Sequence, residues 1–101
     1  MPRYLTLEDI KAQLVIDQSF TEDDLLLESM GDAAEDYVEQ LVNEQLDDVA
    51  AKNSGELPAS LYRAMLIFVD YLYSAQRGSS NTEHVVPEVI NTIVKLYRSF
   101  L

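Results

Sequence analysis

Cysteine and tryptophan are absent from this chain, and histidine occurs once, at position 84. Without cysteine there is no disulfide, no thiolate metal site and no thiol nucleophile, which suits a reducing compartment. The lone His84, beside Glu83 in a segment that reads as loop, lacks the packed partners of a Ser-His-Asp relay. It also excludes the paired Glu-x-x-His ligands of a di-iron bundle, and it reads as an ordinary surface residue. Long apolar runs are missing as well. The longest, residues 64–69, falls far short of the ~20 residues that cross a bilayer, so no membrane partner is expected. Met1-Pro2-Arg3-Tyr4 leads straight into a capped helix, so no secretory leader is expected either. Basic side chains are scarce: seven Lys and Arg stand against eighteen Asp and Glu, a net charge of −11. That balance disfavours sequence-specific or free binding to nucleic-acid phosphates and to anionic lipid. Neither Glu22-Asp23-Asp24 nor Asp47-Asp48 has the alternating ligands, bend glycine and closing glutamate of a calcium loop. No catalytic residue, metal or cofactor is expected, and the chain is expected to be soluble and intracellular when made.

What is present argues for a folded domain. The 101 residues suit a single domain over 1–101, and a chain of this size buries roughly 60–70% of its extended surface. Apolar residues make up 48% and tyrosine occurs six times, unlike a disordered acidic segment.

Hydrophobic periodicity points to an all-α fold: three main helices at about 22–43, 58–77 and 87–99, plus a short N-terminal helix at about 7–14. Thr6-Leu7-Glu8-Asp9 is a near capping box, with Asp9 in the place of glutamate. Residues 15–20 form an extended link in which Phe20 is placed to act as a hydrophobic staple. Thr21 is the expected cap of the second helix, with Glu22, Asp23 and Asp24 in the first turn, where the helix dipole favours negative charge. Its apolar stripe is Leu26, Met30, Ala33, Ala34, Tyr37, Val38, Leu41 and Val42, with Gly31 as a weak point. Residues 43–56 lose the period, although Leu46 and Val49 suit a single helical turn, and Asn53-Ser54-Gly55 signals a turn. Pro58 suits the first turn of a third helix and Gly78 its stop. From Ala64 to Tyr73 only Asp70 is charged, so this helix is expected at the centre of the domain. Residues 78–83 read as an exposed loop, and Pro87 opens the last helix, with a buried edge of Ile90, Ile93, Val94 and Tyr97.

Charge is divided unevenly along the chain. Residues 1–56 hold fifteen carboxylates against three basic side chains, whereas the remainder holds three against four. Glu28, Asp32, Glu35 and Glu39 recur at helical spacing and form an expected acidic ridge opposite the apolar stripe. No lysine or arginine follows them at i+4, although like charges at that spacing cost a few tenths of a kcal/mol each. Two readings of the ridge stand: a solvated helix face, or an electrostatic surface that docks a basic partner or repels passing DNA. A narrow polar strip on the third helix, Arg63, Asp70 and Arg77 with Ser74, either pairs internally or meets the ridge of a neighbouring copy. The second option is a head-to-tail contact of the kind that closes into a ring.

The order of segments resembles a known family. It comprises Leu5-Thr6-Leu7-Glu8-Asp9-Ile10-Lys11 with Leu14 and Ile16-Asp17, then Asp23-Asp24-x-Leu26-Leu27 leading to Ala33-Ala34-x-x-Tyr37-Val38-Glu39. Leu57-Pro58 follows, before Leu61-Tyr62-Arg63-Ala64-x-Leu66 and Tyr71-Leu72-Tyr73, and Val86-Pro87-x-Val89 closes on Leu96-Tyr97-Arg98. Over nearly its whole length the chain resembles the head–tail connector (adaptor) proteins of tailed bacteriophages, often labelled DNA-packaging proteins. It departs from them after the third helix, where members often carry an Asn-Arg-Glu-type stretch and this chain reads Ser74-Ala75-Gln76-Arg77-Gly78.

The resemblance implies a non-catalytic α-helical subunit that assembles into a ring, typically dodecameric, beneath the portal protein. Such a ring extends the DNA channel and docks tail or stopper proteins. It places the chain at the head–tail junction of the virion and, before assembly, in the host cytoplasm, where free subunits are monomeric or oligomeric. Segments 43–56 and 78–86 then order on assembly, and the acidic ridge faces the lumen or a partner. The alternative is an acidic DNA mimic or regulatory interaction module that occupies a basic cleft on a nucleic-acid enzyme.

Overall fold

Thr6 Oγ1 accepts the Asp9 N–H at 3.1 Å and starts α1, Leu7–Leu14, as its side-chain chemistry dictates. The computed structural model describes residues 2–76 and 88–99. Four further helices follow: α2 Asp24–Val42, α3 Leu46–Lys52, α4 Ala59–Gln76 and α5 Glu88–Ser99. The described residues contain no strand. The all-α reading therefore holds, and α1, α2, α4 and α5 lie within about two residues of their expected bounds.

The first difference is α3. Instead of one turn, residues 46–52 make a seven-residue helix with Leu46, Val49 and Ala50 buried. Its first N–H, on Leu46, is satisfied by the Glu39 carboxylate at 2.9 Å, a long-range cap that local spacing does not reveal. The second difference is the start of α2. The helix is preceded by Asp23 rather than capped by Thr21, and Asp23 makes no side-chain cap bond. A third concerns the near capping box: the Asp9 carboxylate does not close it but accepts the Tyr62 hydroxyl of α4 at 2.5 Å. Phe20 is exposed, and its carbonyl accepts Lys11 Nζ at 2.7 Å. Pro58 sits one residue ahead of α4, its carbonyl accepting the Tyr62 N–H at 3.1 Å. Gly78, the 78–86 loop, His84 and Pro87 lie outside the described residues.

As its lack of charge predicts, α4 is the hub. It packs against α2, α5 and α1, and buries Leu61, Ala64, Met65, Leu66, Phe68 and Val69. Tyr37 of α2 stacks on Phe68 with ring centroids 4.3 Å apart and planes 1° from parallel, and Tyr71 adds a second ring at 5.8 Å. Ile90 and Val94 of α5 close the far side of the core, with Ile93 half-buried. The result is a flat body of 38 × 30 × 17 Å. The buried face of α2 is Leu27, Met30, Gly31, Ala34, Glu35, Val38 and Val42, rotated from the expected stripe: Leu27 replaces Leu26, and Ala33 is exposed. The rotation carries Glu35 inside.

Candidate functional site

The four carboxylates of the expected ridge all lie on α2, but they do not form one surface. Glu35 is 2% exposed. Residues 31, 35, 38 and 42 follow one another at i+4, i+3 and i+4, so Glu35 lies in line with buried positions. The N-terminal arm, residues 2–5, is drawn across this line. Glu35 Oε1 accepts the Arg3 N–H at 2.9 Å, while Oε2 accepts those of Tyr4 and Leu5 at 2.7 and 2.9 Å. Three backbone donors outside any helix or strand thus find their acceptor in one side chain, which meets the requirement that buried polar groups be paired.

Gly31 explains why the arm lies so close. A Cβ built there would meet Pro2 Cγ at 2.6 Å and Ile10 Cδ1 at 3.1 Å. The glycine that reads as a weak point in the sequence is where the arm touches the helix.

Glu39 is committed inward too. Its Oε2 accepts Arg3 Nη2 at 2.9 Å and the Leu46 N–H at 2.9 Å, joining the arm to the start of α3. These contacts hold the Glu39 carboxyl below the ordinary glutamate range, first through the Leu46 N–H and then through Arg3. The Tyr4 hydroxyl donates to Asp47, and Arg3 Nη1 lies 3.8 Å from Asp47 Oδ2. Half of the expected ridge is therefore a clasp, and the reason is tertiary: the acceptor was needed by a segment some thirty residues earlier. Glu28 and Asp32 are half-buried, one turn apart on the N-terminal half of α2.

Beside the clasp, Asp36, Glu39, Glu44 and Asp48 rim an open cleft of about 570 Å³ between the end of α2 and the start of α3. No group of carboxylates or histidines among the described residues is arranged to hold a metal ion, and no described helix is long and apolar enough to cross a membrane.

The polar strip on α4 is divided as well. Arg63 Nη1 donates to Gln13 Oε1 of α1 at 2.7 Å, so this end pairs within the subunit. Asp70, seven residues on, is half-buried, and Arg77 lies outside the described residues.

Lys11 has a role that its place in the sequence does not reveal. Although charged, it is 3% exposed. Its Nζ donates to the carbonyls of Gln18 and Phe20 at 3.1 and 2.7 Å and pairs with Asp24 Oδ1 at 2.9 Å. One ammonium thus fastens α1, the 15–23 link and the start of α2 at a single point, as a buried charge requires. Spacing carries no signal for this. The link also holds Val15 at φ 59°, ψ 43°, a left-handed conformation costly for a β-branched residue.

Residues 4–99 match the model of a protein family described as "Phage gp6-like head-tail connector protein". No curated protein and no solved structure matches the chain.

Proposed function

The chain belongs to the phage gp6-like head–tail connector family, and from that premise we propose that it acts as one subunit of a ring between portal and tail. The family is structural rather than enzymatic, and membership places the chain among the head and tail proteins of a virion. The observation that carries the reading is the extent of the match, residues 4–99 of 101.

Its action is geometric and electrostatic. Copies associate head to tail into a ring, of twelve where the portal has twelve. The ring continues the DNA channel and offers its far side to tail or stopper proteins. Glu28 and Asp32 are the ridge members we assign to the lumen or to a partner. Carboxylates there repel DNA phosphates, so the duplex passes without sticking. Glu35 and Glu39 contribute to the same negative field but are held by the arm, and their task is to shape the subunit. Asp70 and Arg77 remain on our reading part of a contact with the next copy, with Arg63 anchoring α1 at its edge.

Native mass spectrometry of the chain across a concentration series, with and without the portal protein of the same phage, tests this. A complex with one copy per portal subunit is expected. A stable monomer or dimer that ignores the portal and binds the basic cleft of a nucleic-acid enzyme would favour a DNA mimic instead.

A further inference from the structure

A head-to-tail ring needs two different patches on each subunit, and the exposed apolar residues fall into two groups. Among the described residues the exposed large hydrophobics are Val15, Phe20 and Leu25 in one stretch, and Val89 and Leu96 on α5. Val15 is 91% and Leu25 83% exposed, so neither buries appreciable area within its own subunit. Lys11 ties the intervening link to one point through Gln18, Phe20 and Asp24, which makes the stretch a fixed corner rather than a loose loop. Val15 keeps its left-handed backbone there without any packing return inside the subunit. Val89 and Leu96 are seven residues apart and so share one face of α5, bordered by the half-buried Ile93. They form an outer stripe beside the buried edge of Ile90 and Val94.

The two groups also differ in charge. Residues 15–25 contain Asp17, Glu22 and Asp23, besides Asp24, whose charge is paired by Lys11, and no basic residue of their own, whereas α5 contains Lys95 and Arg98 against Glu88. An apolar patch set in negative charge and an apolar stripe on a net positive helix complement one another, while each repels or fails to match itself. Exposed apolar groups of this kind mark contact sites.

We propose that the Val15–Phe20–Leu25 corner of one copy seats on the Val89–Leu96 stripe of a second copy. This inference rests on the ring reading above and names the two surfaces that make the joint. It is a heterologous contact, which leaves both patches of a free subunit unsatisfied until a ring closes.

The absence of cysteine makes the test clean, because introduced thiols are the sole ones. L25C is placed in a copy with one affinity tag and L96C in a copy with another. The two are mixed at high concentration with a short bismaleimide, and wild-type association is followed in parallel by sedimentation. Each thiol adds across a maleimide double bond, so no oxidant is needed. The expected result is a doubly tagged 25–96 product formed several-fold faster than the 25–25 or 96–96 products, and suppressed by excess wild-type chain. If the wild type associates but the products are homotypic or absent, the named joint is overturned and the ring reading stands. If the wild type does not associate alone or with portal protein, both fall. Circular dichroism of L25C and L96C confirms that each variant is folded, and the exposure of both positions favours this.

Discussion

The Glu35 carboxylate lies 2.7 Å from the backbone nitrogen of Tyr4, thirty-one residues away in sequence. Together with the bonds to Arg3 and Leu5, this makes one buried acid the fastening of the whole N-terminal arm. Replacing it with alanine leaves three backbone donors without an acceptor and opens a space beneath the arm. Glu35→Ala is expected to cost about 3 kcal/mol in urea unfolding, with faster hydrogen exchange at the amides of residues 3–5. Unchanged exchange at those amides would contradict the clasp.

Gly31 supplies a second test of the same contact. Alanine is the better helix former by about 1 kcal/mol, yet its Cβ would lie 2.6 Å from Pro2 Cγ. Gly31→Ala is therefore expected to lower the melting temperature. Adding Pro2→Ala, which removes that Cγ, is expected to restore part of the loss, giving a non-additive double-mutant cycle. Additive effects would mean that the arm does not rest on this position.

Val15 offers stabilisation. It holds φ 59° at the end of α1 and buries almost nothing, so little packing is lost on replacement. Asparagine tolerates the left-handed region that a β-branched residue resists. Val15→Asn is expected to raise stability by about 1 kcal/mol, measured by thermal unfolding of the dilute chain. If the corner is a joint between copies, the same variant weakens association while strengthening the fold.

Glu39 sets an acid dependence. Its folded carboxyl sits below the ordinary value because the Leu46 N–H and then Arg3 favour the charged form. The unfolded chain therefore binds this proton more readily, and Glu39 contributes stability above the ordinary glutamate range. That contribution is lost as pH falls through the depressed folded value. Unfolding midpoints of wild type and Glu39→Gln, measured from neutral pH downward, are expected to converge as the solution becomes acid. A constant gap across the range would show that the charge on Glu39 does not matter to the fold.

Legibility in the sequence followed the range of the interaction. Thr6 marked the start of α1, and the uncharged stretch around Met65 and Phe68 marked the hub, because caps and helical periodicity are local. By spacing alone Glu35 belongs to an outer ridge, because its separation from Glu28, Asp32 and Glu39 is that of a helix face. The same residue is equally in line with Gly31, Val38 and Val42, and only the path of the arm decides between the two. The small residue one turn earlier, at Gly31, is the sequence signal for that path. Lys11 and the Glu39 cap on α3 also depend on groups seven or more residues away, for which spacing alone has no rule. The family, by contrast, was legible from the ordered set of segments, since order along the chain survives where individual contacts are hidden.

We propose that this chain is one subunit of a ring between portal and tail. Electron cryomicroscopy of the head–tail junction of intact virions is the decisive experiment. A ring of density is expected directly below the portal, into which the flat body of the described residues fits, one copy per portal subunit, with the 15–25 corner of each against α5 of the next. Tailed, DNA-filled particles whose junction contains no such ring would contradict it.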